Sequence, residues 1–255
     1  MDSGVRSPLI DFFRRGEVAR DVRLVAAQGA FAPRALDQLA LLLILKDDAD
    51  PEIAREAAST LDRLPEAALS AFLGRSEVPT DMRAFFVSRG VQVAAAAESA
   101  DDPLIDAVDE ALPAGNDSNV SVSERVAMMS ILEKMKAAMR GTREERAILV
   151  RDPNRLVAAA VLSSPKLTGQ EVEAIAKMTN VGEEVLRVIG TNRQWTKNYG
   201  VVAGLVRNAK TPVAVSLNLL QRINDRDVKL LALDRNIPEP VRMAARRRAA
   251  NAQPG

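Results

Sequence analysis

The chain has 255 residues, of which 47% are hydrophobic and 27% charged, a balance typical of a globular protein rather than a disordered one. It contains no cysteine and no histidine, which excludes disulfides, thiolate nucleophiles, zinc–thiolate sites and Ser-His-Asp triads. The net charge of +1 is unevenly divided: residues 1–120 carry 12 basic and 21 acidic residues (−9), and residues 121–255 carry 23 and 13 (+10).

The kind of apolar residue predicts an all-α fold. Alanine, leucine and valine dominate, whereas aromatic residues make up only 3% of the chain. Alanine and leucine favour helices, and small side chains let helices approach closely. No segment shows the period-two alternation of β-branched and aromatic residues that marks strands.

Signals that begin and end helices recur along the first half of the chain. Ser7-Pro8 begins the first helix, with proline at a position where its missing N–H costs nothing. Segments 91–98 and 102–111 have weaker helical patterns. The other predicted helices of this half are 17–28, which ends before Gly29, then 33–46, 51–61, and two that begin at Pro65 and Pro79.

Residues 112–121 are the one clear linker, because they combine proline, glycine, asparagine, aspartate and serine. The sign of the charge also changes there. We therefore predict an acidic helical lobe over residues 1–111, a linker over 112–121 and a basic helical lobe over 122–255.

The second half contains three capping boxes, in which a hydroxyl and a glutamate three residues later satisfy each other's backbone amides. They are Ser121/Glu124, before a long helix predicted to end near Arg140, Thr142/Glu145 and Thr168/Glu171. Asp152-Pro153 predicts a helix through Leu162. Further helices are predicted to begin at Asn180, Asn192, Thr211-Pro212 and Ile237-Pro238.

Some of these signals repeat. Asp50-Pro51 and Asp152-Pro153 are each followed by a pair of alanines seven residues after the aspartate, and Pro79-x-x-Met82-Arg83 matches Pro238-x-x-Val241-Arg242. The intervals from Pro33 to Pro79 and from Thr168 to Pro212 are 46 and 44 residues, within the usual length of HEAT and armadillo repeats.

With the segments 146–157, 192–199 and 207–212, these motifs resemble HEAT/armadillo-like repeats, and they are most similar to a group of uncharacterised bacterial HEAT-like proteins. The resemblance is fuller over 140–250 and looser over 17–90, and residues 91–121 depart from it. It implies a solenoid of short antiparallel helices. It implies no particular activity, so it carries over no site residues.

Trp195 and Tyr199, the only tryptophan and the only tyrosine, lie four residues apart, flanked by Arg193 and Lys197. On one predicted helix they would share a face, where they could anchor a partner or stack on a base. The alternative is that both rings fill the core. Gly200 and Gly204, which follow, predict a close helix–helix contact.

A basic run that could bind phosphates or an acidic protein surface consists of Arg140, Arg143, Arg146, Arg151 and Arg155, of which the last four are candidate partner-binding residues. The alternative is a solvated face on which Glu144, Glu145 and Asp152 balance the charge. As surface groups, these arginines would contribute little to folding stability.

No catalytic or cofactor-binding motif is present, so we predict a non-catalytic protein-interaction scaffold with no cofactor and no bound metal. The alternative is a nucleic-acid-binding protein that uses the basic lobe, and a HEAT-like DNA glycosylase is a third hypothesis. The beginning of the chain lacks a signal-peptide pattern, and the longest apolar stretch, 39–45, is shorter than the roughly 20 residues that a bilayer span needs. We therefore expect a cytoplasmic protein without a membrane span. The sequence predicts no oligomeric state.

Overall fold

A computed structural model describes residues 7–32, 34–94, 103–105 and 121–251. These residues form sixteen α-helices and one 3-10 helix, and none of them lies in a β-strand, which confirms the all-α prediction. The 3-10 helix spans Trp195–Lys197. The α-helices are α1 Pro8–Arg14, α2 Arg20–Ala27, α3 Ala35–Leu45, α4 Pro51–Asp62, α5 Glu66–Leu73, α6 Thr80–Ser88, α7 Val122–Met128, α8 Ile131–Arg140, α9 Arg143–Leu149, α10 Arg155–Leu162, α11 Gly169–Lys177, α12 Glu183–Thr191, α13 Tyr199–Arg207, α14 Val213–Leu220, α15 Asp225–Leu233 and α16 Glu239–Asn251.

The three predicted capping boxes all form, at the starts of α7, α9 and α11. A fourth box, Ser130/Glu133, was not predicted. It divides the long helix that was expected between Ser121 and Arg140: α7 ends at Met128, Met129 is extended (φ −68°, ψ 138°), and α8 begins at Ile131. The prediction of one helix is therefore wrong, because a local cap at Ser130 satisfies the backbone amides that a continuous helix would have bonded.

The two Asp-Pro motifs behave differently. Asp50 caps α4 as predicted, accepting from the Glu52 amide at 2.9 Å. After Asp152-Pro153, α10 instead begins at Arg155, because the Asn154 side chain accepts from the Leu156 amide at 2.9 Å.

The predicted weak helices and linker fall largely outside the described residues. Residues 91–94 are not helical. The rest of segments 91–98 and 102–111, apart from 103–105, and residues 112–120 of the linker lie outside the described residues. Ser121, the last predicted linker residue, is the N-cap of α7.

The chain divides into two compact units, Met1–Gly141 with Ser163–Pro165, and Thr142–Leu162 with Lys166–Gly255. Helices α7 and α8 thus belong to the first unit, whereas the sequence grouped them with the basic lobe. A hydrogen bond ties residues 163–165 to α8 inside this unit, since Ser164 Oγ donates to the Met139 carbonyl at 2.7 Å. A change in the sign of the charge does not reveal which apolar faces pack together.

Helix α3 is the centre of the first unit, where it contacts α1, α2 and α4. Its apolar residues surround the helix axis, and Leu39, Leu41 and Leu42 are completely buried, as expected for a helix without a solvent face. Gln38 is the polar exception. Its side chain donates to the Gly29 carbonyl at 2.9 Å and accepts from the Leu104 amide at 2.8 Å, so its buried amide is satisfied.

In the second unit, helices contact one another in two interleaved series. Helix α11 contacts α9 and α13, while α12 contacts α10 and α14, and α14 contacts α16. Consecutive helices also pack together, as α13 does with α14 and α15 with α16. Apart from α15, whose main contact is α16, each helix of this unit therefore has neighbours of both kinds, an adjacent helix along the chain and the next but one.

Glycines allow the closest of these contacts. A Cβ built on Gly200 would lie 2.4 Å from the Glu173 carboxyl carbon, and one on Gly204 would lie 3.3 Å from Ala176 Cβ. The predicted close helix contact at these two glycines, α13 against α11, is confirmed. Between α12 and α14, a Cβ on Gly190 would lie 2.4 Å from Val215 Cγ1.

Side chains from other elements satisfy the carbonyls at several helix C-termini. Arg83 Nε donates to the Leu73 carbonyl at the end of α5, at 2.9 Å. Asn208 Nδ2 donates to the Ala176 and Met178 carbonyls at the end of α11, at 3.0 and 2.8 Å. These contacts tie the end of one short helix to a residue farther along the chain.

We expect Gly190→Ala to destabilise the protein by about 1–3 kcal/mol, because Val215 is branched at Cβ and has little freedom to move away from the added methyl group. The matched control is Gly169→Ala in α11, where nothing lies within 4 Å of the added Cβ. Helix propensity alone should make that change neutral or stabilising by about 0.4–1 kcal/mol. Denaturant unfolding of both variants tests this, and equal midpoints would contradict the close contact of α12 with α14.

Candidate partner-binding surface

The basic run predicted from the sequence is not a continuous surface. Arg143, Arg151 and Arg155 are exposed. Arg146 is buried, with only 5% of its surface accessible. The prediction that Arg146 is a surface group is therefore wrong, and three of the four candidate arginines remain available to a partner.

Arg146 is buried because it pairs with Glu171, 25 residues away in the sequence. Its Nε and Nη2 atoms donate to Glu171 Oε1 at 3.0 and 2.7 Å, and Nη2 also donates to the Lys166 carbonyl at 3.3 Å. The other oxygen of Glu171 accepts from the Thr168 amide at 3.0 Å and from its hydroxyl at 2.8 Å. One carboxylate thus completes the capping box of α11 and also holds α9.

Two opposing effects act on the Glu171 carboxyl. Burial disfavours its charged form, but the hydrogen bonds from Thr168 and the Arg146 guanidinium outweigh burial, so the pKa of Glu171 lies below its ordinary value of 4.5. The ion pair is therefore intact at neutral pH, and it serves the fold rather than a ligand.

Trp195 and Tyr199 do not share a helix, so the prediction that they share one helical face is wrong. Trp195 begins the 3-10 helix and Tyr199 begins α13. Two asparagines cause the break: Asn192 Oδ1 accepts from the Gln194 amide at 2.9 Å, and Asn198 Oδ1 accepts from the Gly200 amide at 2.7 Å.

The exposure of these aromatic residues contradicts the alternative that both rings fill the core. Trp195 is half-buried and Tyr199 is 41% exposed, so neither ring is fully in the core. The flanking Arg193 and Lys197 are exposed, and Lys197 Nζ donates to Gln194 Oε1 at 3.0 Å.

The hydroxyl of Tyr199 belongs to a polar cluster that joins α13 to the start of α15. It donates to Asp227 Oδ2, while Arg207 Nη2 donates to Asp227 Oδ1 at 2.7 Å. Burial and this hydrogen bond raise the pKa of Tyr199, and the bond from Tyr199 and the charge of Arg207 lower the pKa of Asp227. The phenol stays protonated and the carboxylate charged, which fixes the cluster as a structural contact.

The most exposed apolar residues of the second unit lie on α15 and α16, and the sequence analysis missed them. Leu230 is 55% exposed, Leu233 77% and Met243 39%. Val228, Leu231 and Ala232 form the buried stripe of α15. Leu230 and Leu233 are one helical turn apart on the opposite side, so they do not contribute to the core.

Arg246 of α16 contacts the end of α15 and lies close to Met243 of its own helix. Its Nε donates to the Ala232 carbonyl, next to Leu233, at 2.9 Å, and its Nη1 lies 4.0 Å from Met243 Sδ. We call Leu230, Leu233, Met243 and Arg246 together the C-terminal surface.

Unpaired cations surround the C-terminal surface. Four exposed basic residues of α15, α16 and the loop between them make no ion pair with any carboxylate of the described residues. Three of the acidic neighbours form ion pairs: Asp225 with Arg248 at 3.5 Å, Asp227 with Arg207, and Glu239 with Arg242. The fourth, Asp234, makes no ion pair among the described residues, and its Oδ1 accepts from the Asn236 amide at 2.8 Å. The four basic residues are Arg226, Lys229, Arg235 and Arg247.

Two kinds of feature are absent from the part of the chain that the structure describes. It contains no cluster of three or more acidic side chains that could hold a metal ion. None of its helices is long and apolar enough to cross a bilayer.

We expect Arg146→Ala to destabilise the protein by about 3–5 kcal/mol, because it leaves the buried Glu171 carboxylate without its counter-charge. Arg143→Ala, one turn earlier on the same helix but exposed, is the control and should leave the denaturant midpoint unchanged. Similar midpoints for the two variants would show that the Arg146–Glu171 pair contributes nothing to stability.

The lowered pKa of Glu171 gives this ion pair a defined pH dependence. A carboxylate with a depressed pKa in the folded state stabilises the protein above its unfolded-state pKa, and this contribution is lost as the pH falls through the folded-state value. The difference in unfolding free energy between wild type and Glu171→Gln should therefore shrink as the pH is lowered from neutral to below 4.5. Parallel denaturant titrations measure it, and a difference independent of pH would contradict the assignment.

Comparison of the chain with protein-family models, curated proteins and solved structures gives no match. Leu230 and Leu233 of the C-terminal surface lie outside the buried stripe of α15 and have no role in the core of the second unit.

Proposed function

We propose that the chain is a non-catalytic protein-interaction scaffold, built from HEAT/armadillo-like helical repeats, and that its C-terminal surface docks a partner protein. The observation that carries this proposal is the exposure of Leu230 and Leu233, at 55% and 77%. Burying a leucine side chain is favourable by about 1.5–3 kcal/mol, so a partner that covers both gains binding energy from them.

The helix contacts of the second unit support the repeat architecture. In a helical solenoid, each repeat packs mainly on its neighbours, and equivalent helices of successive repeats form layers. The series α9, α11, α13 and the series α10, α12, α14, α16 fit this description. The last repeat of a solenoid usually has a polar outer face, whereas α15 carries two exposed leucines.

The nature of the surface supports a protein partner over nucleic acid. Exposed apolar residues with arginine and methionine among them are typical of protein interfaces. A nucleic-acid site in this lobe has less support, because Arg146 is buried, Trp195 and Tyr199 are not paired, and the Tyr199 hydroxyl bonds Asp227. A glycosylase would need an acid in an aromatic-lined pocket, whereas Tyr199, which is bonded to Asp227, is 41% exposed.

Site-specific photo-crosslinking tests the proposal. A benzophenone amino acid placed at Leu233 in cells that naturally express the protein should give discrete adducts of higher mass on irradiation. The control position is Arg55 on α4, which is also exposed and makes no ion pair among the described residues. Adducts that are absent, or identical at the two positions, would show that Leu233 does not contact a partner.

A further inference from the structure

We infer that the partner of the C-terminal surface presents an acidic helical segment with apolar side chains one turn apart. This inference rests on the proposed function and adds the chemical class of the partner. The combination of an apolar centre with unpaired cations around it is its basis.

The net charge of the C-terminal surface and its surroundings depends on which ion pairs form inside the unit. Every acidic side chain of α15 and α16 has a basic partner inside the unit, and Asp227 is also bonded to Tyr199. Arg226, Lys229, Arg235 and Arg247 have none in the described residues. Asp234 is the one carboxylate of this region without an ion pair, against four unpaired cations, so the surface around the leucines is positive. A complementary partner carries negative charge because potentials of opposite sign match across specific interfaces.

The same helix turns supply both kinds of contact. Leu230 directly follows Lys229, and Arg226 precedes Leu230 by one turn, so the apolar and basic side chains of α15 alternate on its exposed face. Met243, on the next helix, adds an adaptable apolar side chain. A helix that places apolar residues at i and i+3 or i+4, and acidic residues beside them, meets both requirements.

The apolar centre argues against ligands that offer charge alone. A phosphate group would pair with the arginines but would leave Leu230 and Leu233 in water. A helical segment of a protein covers them and pairs with the cations in one contact. The leucines should therefore determine whether a segment binds at all, and the basic residues should determine which segments are selected.

Selection of peptides on the full-length protein tests the inference. A library of random 16-residue peptides is displayed, and the clones retained by wild type but lost on a Leu230→Ser/Leu233→Ser variant are sequenced. We expect them to be enriched in aspartate and glutamate, with apolar residues spaced by three or four. A circular dichroism melt of the double variant should match wild type, since both leucines are exposed.

The affinity of the best selected peptide then tests the charges directly. Arg226→Glu/Lys229→Glu should weaken its binding about tenfold or more, and added salt should weaken binding to wild type. The control, Arg55→Glu/Lys210→Glu, makes the same change in net charge at two other exposed residues outside α15 and α16. It should leave the affinity within about twofold of wild type.

Each other outcome overturns a different statement. Leucine-dependent peptides without acidic enrichment, or equal losses of affinity in the two charge variants, would overturn the inference and leave the docking surface in place. No leucine-dependent peptide at all would overturn the proposed docking at this surface as well. Leucine-dependent binding to vesicles of anionic lipid, with no acidic bias among peptides, would assign the surface to a membrane instead.

Discussion

Unsatisfied backbone groups at the ends of short helices are the constraint on which this structure depends. Each α-helix has four amides at its start and four carbonyls at its end without a partner inside the helix. The helices described here are 7 to 13 residues long, so a large share of their peptide groups is in this position. Several helices, among them α4, α9 and α11, have a side-chain cap at the start. Side chains from other elements donate to carbonyls at the ends of α5, α11 and α14.

The ends of the helices explain much of how the basic residues are used. Arg83 donates to carbonyls after α5, and Arg248 donates to the carbonyls of Leu220 and Ile223, at and just after the end of α14. Arg146 also bonds within the chain, to Glu171 and to the Lys166 carbonyl. The excess positive charge of the second half is thus partly a consequence of architecture. The cations that matter for a partner are those left over after these internal contacts are counted.

This division explains what could be predicted from the sequence. Capping boxes such as Thr142/Glu145 are local, and Gly200 and Gly204 mark a close contact by their size alone, so both were predictable. The burial of Arg146 was not, because it depends on a residue 25 positions away.

The exposed leucines of α15 were missed for a related reason. A run of apolar residues does not reveal which of them face the core until the neighbouring helices are known. The signal available in the sequence was that α15 has more apolar residues than one buried stripe needs. It has Leu230 and Leu233 in addition to Val228, Leu231 and Ala232. The HEAT-like architecture itself remains a proposal that the helix contacts support.

Glu171 bonds both Arg146 and Thr168, and this has a consequence for how the second unit unfolds. In a linear stack of repeats, each unit tends to fray independently, because it contacts only its neighbours. A helix as short as α11 is unstable by itself, and its first turn is completed by the same carboxylate that holds Arg146 of α9. The nucleation of α11 and the docking of α9 are therefore linked through one side chain, which couples the melting of these two helices.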